Sequence, residues 1–163
     1  MAPMAKRERT TAGEGCRFCA IAAGEVPAHR VLEDTAFVAF LDHRPLFFGH
    51  CLVVPRRHVP SLVELPGELA GPLLERVRLL ALALERGLGA EGCFVAINHR
   101  VSQSVPHLHV HVVPRRRGDG LRGFFWPRQK YPSEQAARET AQAIRAALAA
   151  LGGGAVAASE GLC

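Results

Sequence analysis

Apolar and polar residues alternate strictly in one stretch of this chain. Between Pro106 and Pro114, Leu108, Val110 and Val112 are interleaved with His107, His109 and His111. A period of two is that of a β-strand, whose side chains point to opposite faces in turn. The pattern predicts a strand over 107–113, with three imidazoles in a row on one face and aliphatic residues on the core face. Similar reasoning gives strands over 29–33 and 36–42, joined by a tight turn at Asp34 and Thr35, and over 50–55 and 93–98. The period becomes helical over 68–88, where Leu69, Leu73, Val77, Leu80, Leu84 and Leu88 share one side. Pro72 falls near the first turn of that helix, where proline is tolerated, and Gly87 and Gly89 supply the stop. Residues 17–23 allow a short helical turn ended by Gly24. A last helix over 133–151 starts at Ser133 as its N-cap, with Ala137, Ala141, Ile144, Leu148 and Leu151 on its apolar side.

Strands adjacent in sequence, with only one long crossover helix, predict an antiparallel sheet of about five strands with helices on one side. That is an α+β architecture. The length of 163 residues suits one domain. The expected organisation is a basic tail over 1–14 and a single domain over 15–151, followed by a flexible tail over 152–163. Within the domain, 15–117 is the core, 118–132 a loop and 133–151 the C-terminal helix.

Composition narrows the partners. The first 15 residues lack the apolar stretch of a secretory signal, and charges interrupt the leucine-rich run 69–88. No membrane partner and a cytoplasmic setting are therefore expected. The formal net charge is +5, which suits an anionic partner. Part of that excess is local: Lys6, Arg7 and Arg9 lie in the tail, and Arg115, Arg116 and Arg117 directly follow the histidine strand. The five cysteines are an odd number, which argues against a full disulfide framework and for thiols or a metal site.

A single histidine on an apolar strand is usually structural. Three in register are harder to explain that way, because every buried imidazole needs a hydrogen-bond partner. Two uses compete, a metal site and chemistry with neutral imidazole as nucleophile or base. Asn98, Gln103 and Ser104 lie just upstream and offer amide and hydroxyl groups to phosphate or ribose oxygens. Asp42 and His50 flank the loop 43–49. Cys16 and Cys19 form a C-x-x-C pair, which by itself fits half a zinc site, a redox pair or two reduced thiols. Cys51 and Cys93 fall in strand segments and suit a core, and Cys163 suits an exposed tail. The segment 115–132 interleaves basic residues with Phe124, Phe125, Trp126 and Tyr131. It reads as a packed loop or substrate lid, with nucleic-acid stacking a distant alternative.

His107-Leu108-His109-Val110-His111-Val112-Val113 resembles the signature of the histidine triad (HIT) superfamily. The stretches 40–59 and 103–115 are similar to its companion segments, the latter closest to the fragile-histidine-triad branch and its bacterial relatives. The resemblance spans about residues 16–117. It implies a HIT-like fold and a nucleotide hydrolase that cleaves at the α-phosphate through a nucleotidyl-histidine intermediate, releasing a nucleoside monophosphate. His109 is then the nucleophile, His111 and His50 phosphate donors, and His107 the supporting member of the row. Asn98, Gln103 and Ser104 fall to the phosphate or leaving-group side, and Asp42 to the ribose. Phe40, Leu41 and His43 fall to the base, with His43 where the family has an apolar residue. Arg115 and its neighbours are placed near distal phosphates. Dinucleoside polyphosphates are the leading substrates, and nucleoside phosphoramidates, phosphorolysis or a non-catalytic nucleotide- or zinc-binding module the alternatives. The same resemblance implies a structural zinc on Cys16, Cys19, His58 and His107, no organic cofactor, a purine nucleotide as partner and a homodimer.

Overall fold

The computed structural model describes residues 13–121 and 129–151. The chain divides into two compact units, Met1–Gly120 and Leu121–Cys163. The first holds helix α1 (Arg17–Ala23), strands β1 (Arg30–Glu33), β2 (Phe37–Leu41) and β3 (Cys51–Pro55), helix α2 (Gly67–Leu88), and strands β4 (Gly92–Ala96) and β5 (Val110–Arg115). The five strands form one antiparallel sheet in the order β1-β2-β3-β5-β4. The expected α+β sheet is therefore present.

Alternation along the strands makes two cores. Phe37, Ala39, Cys51, Val53, Val110 and Val112 face α2, which buries Leu73, Val77, Leu80 and Leu84 against them. Val38, Phe40, Leu52 and Val54 face the other way and are covered by Phe18, Ile21 and Ala22 of α1. The helices thus lie on both faces, a correction to the one-sided arrangement read from the sequence. A seven-residue segment gives too short a period to reveal which face it covers.

The histidine strand also needs correction at its start. β5 begins at Val110, not at residue 107. Its ladder with β3 pairs Val53 with Val110 and Leu52 with His111. Continuing it would demand an amide donor from Pro55, which has none. The Pro55 carbonyl accepts instead from the His107 ring at 2.8 Å, and the Leu108 N–H turns to Val59 O at 2.6 Å. β4 likewise stops at Ala96, the partner of His111, short of the expected residue 98. Gly87 does not stop α2; the helix runs through it to Leu88, and Gly89 caps it at φ 64°.

The second unit holds α3 (Glu134–Ala150). Ser133 Oγ accepts the Ala136 N–H at 3.1 Å, the N-cap expected there. Among the described residues, no helix is long and apolar enough to cross a membrane. The expectations for Phe124, Phe125, Trp126, Cys163 and the basic tail fall outside the described residues.

Candidate active site and metal centre

Two groups of side chains meet on the α1 side of the sheet. The first joins distant parts of the chain. Cys16 is the N-cap of α1, Cys19 sits in its first turn, His58 follows β3 and His107 precedes β5. Cys16 Sγ and Cys19 Sγ each lie 3.4 Å from His107 Nδ1, and Cys19 Sγ lies 3.3 Å from His58 Nδ1. All four donor atoms fall within 4.8 Å of one another. A tetrahedral ion bound at ordinary zinc distances separates a sulfur from a nitrogen by about 3.6 Å. The observed spacing is close to such an edge.

Protonation agrees with that geometry. His107 is fully buried, and its Nε2–H donates to Pro55 O at 2.8 Å. The proton is thereby held on Nε2 and the Nδ1 lone pair faces the cysteines, the outer-shell pattern of a metal-bound histidine. Burial above all pushes the His107 pKa down to about 4, so the ring is neutral at neutral pH. Burial and then the adjacent Cys16 push the Cys19 thiol up to about 12. A dication between the two sulfurs offsets that cost. These residues fit a closed Cys₂His₂ centre.

The second group is Asp42, His50, His109 and His111. The Leu46 N–H donates to His50 Nδ1 at 3.1 Å. The His50 proton must then sit on Nε2, which donates to His111 Nδ1 at 3.0 Å. His111 in turn carries its proton on Nε2. His109 donates from Nδ1 to His107 O at 2.7 Å, which turns Nε2 away from the backbone. Burial lowers the His50 pKa, against the opposing pull of Asp42. Burial, with His109 and His50 adding to it, pushes His111 down to about 4. The result is an ordered pair of neutral rings, His50 and His111, which leaves Nε2 of His111 as a donor beside the His109 ring.

Asp42 Oδ2 lies 3.7 Å from His50 Nε2, and Asp42, His50 and His111 also present donor atoms within 4.8 Å of one another. Their protons argue against a metal there. A ligating histidine donates from its second nitrogen, whereas His50 accepts on its second nitrogen from a backbone amide.

The remaining expected site residues divide. Asp42 Oδ1 accepts the Arg44 N–H at 2.9 Å and lies 3.5 Å from the exposed His43 ring. Phe40 is buried on the histidine side, with its ring 5.6 Å from that of Phe18. Leu41 pairs with Cys51, whose other neighbour is Val112, so it points to the α2 side and is not brought to the imidazole row. Asn98 and Ser104 are exposed, and Ser104 lines a cleft beside Cys16 and His58. Both ends of the Gln103 amide are engaged with backbone: it donates to Pro60 O at 2.6 Å and accepts from the Arg100 N–H at 3.0 Å. Two of the three arginines are also engaged. Arg115 grips Asp119 with two bonds of 2.6 and 2.8 Å, and Arg116 donates to the Leu88 and Gly89 carbonyls at the end of α2. The Arg117 backbone N–H donates to Glu91, but its guanidinium is exposed. Arg115 lies four residues along β5 from His111 and is not brought to the row.

Phe18 is the residue that sequence reasoning missed. Its ring lies 5.1 Å from that of His109, at an interplanar angle of 79°. The signal was its place between Cys16 and Cys19. The backbone groups of Leu46, Pro55 and His107, which set the ring protons, leave no trace in residue type.

A model of the HIT domain family matches residues 23–118. A HIT-like protein of Mycobacterium tuberculosis is 42% identical over 108 residues, covering 65% of this chain and 75% of that protein. An adenosine 5'-monophosphoramidase of Schizosaccharomyces pombe is 34% identical over 119 residues, covering 72% of this chain and 85% of the relative. The crystal structure of a Zn-bound histidine triad family protein from Mycobacterium smegmatis matches with a TM-score of 0.65 at 39% identity, covering 86% of this chain and 97% of that one.

Proposed function

The chain belongs to the HIT domain family, and on that premise we propose that it is a nucleotide hydrolase acting at the α-phosphorus with His109 as nucleophile. The observation that carries the reading is the hydrogen-bond pattern of the row: His109 Nδ1 is bonded to the His107 carbonyl and His111 Nδ1 to His50, so that among the bonds described the Nε2 atoms of His109 and His111 are left to a substrate. His109 Nε2 attacks phosphorus, a P–N bond forms, and the bond to the leaving group breaks. The ring then bears positive charge, which the His107 carbonyl at 2.7 Å stabilises through Nδ1–H. Water cleaves the P–N bond and releases the nucleoside monophosphate. His111 donates from Nε2 to a phosphoryl oxygen, and His50 acts through His111 by holding its proton in place. Asp42 binds ribose hydroxyls, and Asn98 and Ser104 serve the leaving-group side.

A nucleoside phosphoramidate is the substrate class we favour. The S. pombe relative is named for such an activity. Of the groups assigned to a longer polyphosphate, Gln103, Arg115 and Arg116 are held by backbone and acidic partners in the fold, while the Arg117 guanidinium is exposed. Dinucleoside polyphosphates, the substrates that the fragile-histidine-triad resemblance implies, become the second reading. A purine nucleotide and a homodimer complete the proposal as that resemblance implies them, and a cytoplasmic setting as the composition suggests it.

We further infer a zinc ion on Cys16, Cys19, His58 and His107. Four protein ligands leave no open position, so it would supply structure rather than reaction chemistry. The M. smegmatis neighbour supports it by its bound zinc, and this chain by its donor spacing and the His107–Pro55 bond.

Rapid-quench mixing with adenosine 5'-phosphoramidate tests the route. Wild type is expected to give a burst of AMP and an acid-labile AMP–protein adduct. His109→Ala is expected to give neither, with steady-state turnover down by about 10⁴-fold or more and substrate still bound. Near-normal turnover by His109→Ala defeats the assignment. A burst with diadenosine triphosphate alone restores the second reading.

A further inference from the structure

Cys16 and Cys19 bracket Phe18 on a single helical turn. That turn connects the two groups of the site. The Phe18 ring stands edge-on to three others: His109 at 5.1 Å and 79°, His107 at 6.0 Å and 70°, and Phe40 at 5.6 Å and 63°. It is almost fully buried.

His109 has few other restraints. Among the described residues, one hydrogen bond, from Nδ1 to His107 O, fixes the end of the ring away from the reacting nitrogen. The His111 ring lies 5.0 Å away on the other side. A single bond at Nδ1 permits the ring to tilt about that point, and packing against Phe18 closes that motion. The tilt matters because Nε2 must meet phosphorus in line.

What holds Phe18 is therefore part of what holds His109. A helix of seven residues does not persist by itself. The N-cap of α1 makes no side-chain bond to the helix. Its C-terminal end is gripped by Arg30 and Arg56, which donate to Ile21 O and Ala22 O at 2.6 Å each. Its N-terminal end is gripped only through Cys16 and Cys19, among the bonds described.

We propose that Phe18 is a positioning residue for the His109 imidazole, and that the metal-ligating pair on either side of Phe18 keeps it there. Metal occupancy is then sensed at the nucleophile through one aromatic side chain. The inference rests on the reading of His109 as nucleophile and on the four-residue metal centre.

The test uses the full-length metal-loaded protein with two variants. Phe18→Leu keeps an apolar side chain but removes the ring. Cys19→Ser removes a ligand and leaves the ring. The readouts are metal content, ¹H–¹⁵N imidazole correlations of His109, and the single-turnover rate of adduct formation with adenosine and guanosine 5'-phosphoramidates. Phe18→Leu is expected to retain its metal, to show His109 exchanging between tautomers, and to form adduct about tenfold to a hundredfold more slowly. The loss is expected to be equal for both bases, with substrate affinity unchanged. Cys19→Ser is expected to lose the metal and to show the same His109 signature. Wild-type His109 correlations in Phe18→Leu overturn the proposal. So does a loss confined to affinity or to one base, which makes Phe18 a base contact. If wild type forms no adduct at all, the nucleophile reading fails, and the imidazole correlations alone decide whether Phe18 fixes the ring.

Discussion

Burial holds His50, His107 and His111 neutral, and neutrality is what gives each proton a fixed place. The consequence for stability has a definite sign. The folded pKa of His111, about 4, lies below that of a free imidazole, about 6.5. Between those values the unfolded chain binds more protons than the folded one, so stability falls as pH falls through that window. His50 adds a contribution of the same sign. The urea midpoint of wild type is expected to drop between pH 7 and 4.5, and that of His111→Asn to drop less. Equal drops in the two proteins count against a buried neutral His111. The row itself was legible in sequence because a period of two leaves few structures to choose among. The protons were not, because they depend on the Leu46 amide and the Pro55 and His107 carbonyls, which the tertiary fold delivers. The internal partners of Gln103 and Arg115 were hidden for a related reason: residue type shows what a side chain can bind, not which neighbour reaches it first.

At the scale of elements, α1 and the start of β5 carry the site, and neither is an ideal element. β5 starts late because Pro55 cannot donate, and that interruption frees the Pro55 carbonyl for the His107 ring. A periodicity argument sees the alternation of 107–113 but not the missing donor on another strand. α1 is held from outside. Arg56 donates to Ala22 O and Asp34 O at 2.6 Å each and to Glu33 Oε2 at 3.0 Å, so one guanidinium joins α1 to the β1–β2 hairpin. Lysine cannot reproduce this fork. Arg56→Lys is expected to cost about 2 kcal/mol and to speed amide exchange in residues 17–23 well ahead of the rest of the sheet. Uniform acceleration across all strands means that Arg56 supports the whole fold and not α1 in particular. Arg116 plays a comparable part at the other end of the sheet, where it takes two carbonyls of the α2 terminus.

Across the whole molecule, the proposed metal centre draws together residues 91 positions apart, Cys16 and His107. Sequence could assign the strands to one sheet, yet the order β1-β2-β3-β5-β4 depends on where α2 returns the chain. That order sets β5 beside β3 and so brings His107 to His58. The core between α2 and the sheet needs no such tie: Phe37, Val53 and Val112 are wholly buried with their own partners. Two degrees of dependence follow. On the proposed metal centre, the α2 side of the sheet is expected to persist without metal, while α1 and the segment before β5 are expected to rely on it. A ligand held a thousandfold above its dissociation constant contributes about 4 kcal/mol, which for a chain of this size is roughly 8–16 °C in Tm. A strong chelator is therefore expected to lower Tm by about that amount, and added Zn²⁺ to restore it. In the stripped protein, amide exchange should rise in residues 16–23 and 105–109 and stay slow in β2, β3 and α2. Metal analysis should find one zinc per chain in wild type and little in His58→Ala. A chelated protein with unchanged Tm and unchanged exchange in α1 removes the metal from the architecture, and leaves Cys16 and Cys19 as two packed thiols.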